Sequence, residues 1–139
     1  MHYKDLSTYE YLTGAKNAGM VNIGWLEKGH PFPTGQVSMD IIYTIGELCT
    51  HPVHKTRGYH TCSLCENTES PIIAVFNDKT FRLGSSEIHV KGGNGITYAA
   101  PDLIYHYIKD HHYLPPEDFL IAIKEYKNHL NSEIGGHNE

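Results

Sequence analysis

At 139 residues the chain is the size of one domain, and its 40% hydrophobic and 19% charged content is that of an ordinary folded globule, which excludes a disordered acidic segment, a fibrous repeat and a charge-rich coiled coil. Eleven Lys and Arg against sixteen Asp and Glu give a net charge of −5 with no basic cluster, so the counterion-releasing grip on nucleic acid is not expected. No apolar run reaches the roughly 18 residues of a membrane span, and Met1-His2-Tyr3-Lys4-Asp5 leads into no secretory signal.

Residues 1–35 have no sustained periodicity. Ser7-Thr8-Tyr9-Glu10-Tyr11-Leu12 suits a short helical turn ended by Gly14, and Val21-Asn22-Ile23-Gly24-Trp25-Leu26 alternates as a short strand does. Pro31 and Pro33 stiffen the loop that follows. Ser38 is placed to cap a helix over Met39–Cys49, whose buried stripe is Ile41, Ile42, Ile45, Leu48 and Cys49; His51-Pro52 closes it. Residues 50–70 are polar and aperiodic, and a structureless loop of about twenty residues in a compact domain needs something to order it.

Strand patterns follow at residues 72–76, 81–83, 86–90 and 96–98, separated by turn signals at Asn77-Asp78 and Gly92-Gly93-Asn94-Gly95. Pro101 suits the first turn of a helix over residues 102–111 with Leu103, Ile104, Tyr107 and Ile108 inward. Pro115-Pro116-Glu117-Asp118 begins a last helix with Phe119, Leu120, Ile123, Tyr126 and Leu130 inward, and the tail from Ser132 is expected to fray. The sum is a single α+β domain over residues 1–139, in which a small antiparallel meander of three or four strands packs with about three helices and one loop is organised by a metal.

The chemistry sits in Tyr59-His60-Thr61-Cys62-Ser63-Leu64-Cys65. Two cysteines at C-x-x-C spacing aim two thiolates from one tight turn into a tetrahedral zinc site, and His60 reaches the same ion if the backbone there is extended. For the fourth ligand His106 is preferred, because it flanks the buried stripe of its helix and a metal there would tie the loop to it. His89, His54, His51 and Glu66 are also available, and the plainer account of His106 is a histidine at the edge of the core satisfied by a backbone carbonyl. The metal set is therefore His60, Cys62, Cys65 and His106, with zinc as the cofactor.

The same spacing also fits a thiol redox pair, but no βαβ pattern surrounds it, and two inert thiols are the bland alternative. H-x-E, H-E-x-x-H, G-x-S-x-G, a Walker loop and G-x-G-x-x-G are absent. If the zinc kept an open position, Glu87 would be its candidate base; otherwise Glu87 is a hydrogen-bonded strand carboxylate. Cys49 belongs to a helical apolar stripe and reads as core. Three cysteines, an odd number, with no leader point to a reducing cytoplasm.

Arg57-Gly58-Tyr59-His60-Thr61-Cys62-Ser63-Leu64-Cys65, Leu83-Gly84-Ser85-Ser86-Glu87-Ile88 and Tyr98-Ala99-Ala100-Pro101-Asp102-Leu103-Ile104-Tyr105-His106-Tyr107, with Gly24-Trp25-Leu26 and residues 30–35, cover most of the chain. Together they resemble a group of short uncharacterised bacterial proteins. The resemblance implies a bacterial, cytoplasmic protein; its pattern matches His60, Cys62, Cys65 and His106, and often has a basic residue where this chain has His89. The expected function is a non-catalytic zinc domain whose acidic, tyrosine-rich surface binds another protein, an immunity protein neutralising a toxin being one such role. A zinc-dependent hydrolase is the second expectation and a thiol redox protein the third.

Overall fold

The computed structural model describes residues 2–9, 19–53, 60–65 and 72–137, with side chains to residue 128. In chain order the elements are β1 (Met20–Asn22), α1 (Met39–Cys49), β2 (Ile72–Phe76), β3 (Lys79–Leu83), β4 (Glu87–Lys91), β5 (Thr97–Pro101), α2 (Ile104–His111) and α3 (Glu117–His137). The fold is α+β.

Ser38 caps α1 as expected: its backbone is extended and its Oγ accepts the Ile41 N–H at 3.4 Å. Ile41, Ile45, Leu48 and Cys49 are buried, whereas Ile42 is half-buried at the edge of the stripe. Gly46 lets α1 lie against the hairpin, since a Cβ there would meet the Phe76 ring at 2.5 Å.

The strands form two sheets. β2 and β3 make a two-stranded antiparallel hairpin among the described residues, turned by Asn77 and Asp78 with φ of 50° and 64°, the left-handed pair that matches strand twist. The other sheet has the order β1-β5-β4, with β4 antiparallel and β1 parallel to β5. A local meander does not anticipate that parallel pair, which joins residues some 77 apart (Met20 with Thr97). β1 is also shorter than the strand expected over residues 21–26. Gly24 turns the chain at φ +73°, with the Ile104 side chain 2.9 Å from where a Cβ would stand.

Three further boundaries differ from expectation. Pro101 ends β5, held extended by its pairing with Glu87, so α2 begins at Ile104. The backbone of α3 continues past Ser132 to His137, because extending a nucleated helix adds one hydrogen bond for each residue fixed. Ser7 to Tyr9 run alongside β1 (the Tyr9 N–H donates to Met20 O at 3.1 Å) instead of starting a helical turn; the rest of that proposed turn lies outside the described residues.

Ile88, Val90, Tyr98 and Ala100 join Ile41 and Ile45 of α1, Ile104 of α2, and Phe119 and Ile123 of α3 in one apolar core. Removing each of the Ile, Val and Phe side chains from water contributes about 1.5–3 kcal/mol. Asp102 is also buried, at 3% exposure, where its Oδ1 accepts the Gly84 N–H at 2.7 Å. Desolvation outweighs the backbone donors around it and lifts its carboxyl to about 6 from 3.8. The folded state therefore holds this proton between about pH 4 and 6 while the unfolded state releases it. The contribution is fully present at low pH and is lost as pH rises through the folded value. Relative to Asp102→Asn, the wild type should gain about 2 kcal/mol on going from pH 7.5 to pH 4.5. Parallel urea titrations of the two proteins check this, and equal pH slopes would refute it.

Candidate metal centre

Cys62 and Cys65 sit on one tight turn, closed by the Cys65 N–H donating to Cys62 O at 3.2 Å. Two contacts hold that turn in place. The His60 N–H donates to Gly84 O at 2.8 Å, and the Lys28 N–H donates to Ser63 Oγ at 2.8 Å. Gly84, at φ +113°, presses its Cα against the His60 carbonyl, 2.2 Å from where a Cβ would stand. Facing the turn is α2, which carries His106 near its start and His111 as its last residue. The helix then stops at His112, left-handed at φ 57°, whose N–H bonds Tyr107 O.

The ligand atoms of Cys62, Cys65, His106 and His111 all lie within 4.8 Å of one another. The His111 Nε2 is 3.4 Å from both sulfurs, and the His106 Nε2 is 3.2 Å from Cys65 Sγ. A tetrahedral zinc with ordinary bond lengths requires sulfur–nitrogen separations of about 3.6 Å. The three sulfur–nitrogen separations are close to that value, and the four donors form an S₂N₂ group that could hold a metal ion.

The protonation states suit that role. His106 Nδ1 donates to Asp110 Oδ2 at 2.7 Å, which fixes the tautomer and leaves Nε2 as a lone pair aimed at the cluster. Burial lowers the His106 pKa despite Asp110 and so keeps the ring neutral, the form that binds metal. Burial pushes the Cys62 thiol up to about 11, so capture of a cation must expel this proton. The Asp110 carboxylate is largely exposed, so its loss should leave the fold intact. Asp110→Ala should weaken zinc binding about 10–100-fold with little change in the metal-free melting temperature, a split that competition against a chromophoric chelator resolves.

Of the expected metal set, the structure brings Cys62, Cys65 and His106 together and leaves His60 out. His60 is exposed, and its backbone N–H is bonded to Gly84 O. His111 stands in its place. His89 is bound elsewhere, its Nε2 2.8 Å from Glu87 Oε1, and His51 lies at the surface beside Glu47. His54 and Glu66 fall outside the described residues. Glu87 is 1% exposed, and its Oε1 accepts the Tyr9 hydroxyl at 2.9 Å; it is not among the residues gathered at the cluster. One signal could have found His111. Cys62-x₂-Cys65 followed by His106-x₄-His111 is the C-x₂₋₄-C…H-x₃₋₅-H spacing of zinc sites, with a longer interval between its halves.

Fold and site together define a small α+β domain in which a cysteine turn and a histidine-bearing helix form a Cys₂His₂ candidate metal centre. The chain belongs to the family described as Domain of unknown function (DUF7919), which matches residues 1–124, a span that includes all four cluster residues. No curated protein and no solved structure matches it. Among the described residues, no helix is long and apolar enough to cross a membrane.

Proposed function

We propose that this protein is a structural zinc domain, in which Cys62, Cys65, His106 and His111 hold one Zn²⁺ and the metal catalyses no reaction. The observation that carries this reading is the count of donors. Four protein ligands fill a tetrahedral ion, whereas a catalytic zinc keeps a position for water and a base beside it. Zinc suits two thiolates with two imidazoles better than the hard cations, which prefer oxygen. The Glu87 carboxylate bonds Tyr9 and His89 and is not among the residues gathered at the cluster, so the base that the hydrolase reading names does not stand at the metal.

The test is elemental analysis with X-ray absorption on the purified protein. One zinc per chain, bound by two sulfurs at about 2.3 Å and two nitrogens at about 2.0–2.1 Å, is expected. A metal-free protein, or a bound water in place of an imidazole, would refute the structural role.

A domain of this kind works through its surface. The −5 charge and the solvent-facing Ile73 and Val75 of β2 (61% and 63% exposed) support a protein partner, of which a basic toxin is one form. A one-to-one complex that survives purification and weakens in salt is the expected sign; a protein that never retains a partner at native expression counts against it.

A further inference from the structure

We propose that Cys65 is a peroxide-modified residue and Cys62 its resolving partner, so that oxidation releases the metal ion. This rests on the zinc reading above.

The two thiols are not equivalent. Cys62 is 0% exposed, whereas Cys65 is only partly buried. Both sulfurs approach the same His111 Nε2 at 3.4 Å, and all the ligand atoms lie within 4.8 Å, so neither thiol must travel far to reach the other. The turn hydrogen bond between Cys65 N–H and Cys62 O keeps their Cα atoms within about 7 Å, the upper end of disulfide geometry. Zinc holds both as thiolates, the nucleophilic form.

Hydrogen peroxide can therefore reach Cys65 first. The thiolate attacks the peroxide oxygen, the O–O bond breaks, and with one proton Cys65 becomes a sulfenic acid as water leaves. The Cys62 thiolate then attacks the Cys65 sulfur, the S–O bond breaks, and with a second proton a second water leaves. Peroxide is reduced by two electrons, the cysteine pair is oxidised by two, and the zinc keeps only His106 and His111. The contacts that hold the turn, Lys28 to Ser63 and His60 to Gly84, involve neither sulfur. The turn stays in position when the sulfurs join, and a reductant with zinc should restore the site. Cys49 serves as an internal control: it is 4% exposed, and burial holds its thiol well above the ordinary range.

In the experiment, zinc is first counted in the purified protein, and one equivalent of hydrogen peroxide is then added beside a colorimetric zinc indicator. One zinc should appear per chain, the intact mass should fall by two hydrogens, and peptide mapping should join Cys62 to Cys65 with Cys49 reduced. Dimedone present with limiting peroxide should mark Cys65 in the wild type, and more strongly in Cys62→Ser if that variant folds. Zinc retained after the peroxide is consumed, a bridge to Cys49, or dimedone on Cys62 would overturn the proposal while leaving the structural zinc standing. A preparation without zinc at the outset would overturn both.

Discussion

Cys65→Ser should purify without zinc and melt roughly 10–20 °C below the wild type. Serine keeps the size of the side chain but offers no thiolate, and the remaining three donors hold the ion far more weakly. An ion present at about a thousandfold over its Kd contributes about 4 kcal/mol to the folded state. For a domain of this length that corresponds to the stated shift in Tm. The apolar core around Ile45, Ile104 and Phe119 does not depend on the ion, so the variant should still unfold cooperatively. Calorimetry with and without a strong chelator is the decisive measurement. The chelator should bring the wild type down to the variant and leave the variant unmoved, because metal affinity and folding are linked. A wild type indifferent to the chelator would remove the ion from the account of stability.

Gly84→Ala should be nearly as damaging, although residue 84 is no ligand. A Cβ at this position would stand 2.2 Å from the His60 carbonyl oxygen, and φ +113° is a conformation that alanine rarely adopts. Backbone cannot swing aside as a flexible side chain can, so the His60 end of the ligand turn must lift. Strain and displacement together should cost about 3–5 kcal/mol. Gly95→Ala is the control: φ is +83° there but nothing lies within 4 Å, so only the conformational cost of about 1–2 kcal/mol remains. Urea unfolding gives the two losses, and zinc titration separates their causes. Gly84→Ala should bind zinc more weakly and recover part of its stability in excess zinc, whereas Gly95→Ala should bind as the wild type does. Equal zinc affinity in both would mean that the Gly84 contact does not position the ligands.

The legible features were those encoded within a few residues. Ser38 and the 3.6-residue recurrence of Ile41, Ile45 and Leu48 specify α1, and Asn77-Asp78 specifies the hairpin turn, because capping and turn preferences act locally. The C-x-x-C of Cys62 and Cys65 is local in the same way, since one turn suffices to aim both sulfurs. His106 was reachable because its helix could be oriented by its apolar stripe.

What only the folded chain decided was partnership across long intervals. The parallel pairing of β1 with β5 depends on surfaces that exist only once the core has formed, and no periodicity in either segment announces it. The choice between His60 and His111 was of the same kind. His60 is the nearer to Cys62 in the chain, yet its backbone is spent on Gly84, while α2 brings His111 back across 46 residues to the Cys65 sulfur. Spacing along the chain fixes which side chains can share a turn, but a tetrahedral ion selects by distance in space, and packing against Gly84 and α2 sets that distance.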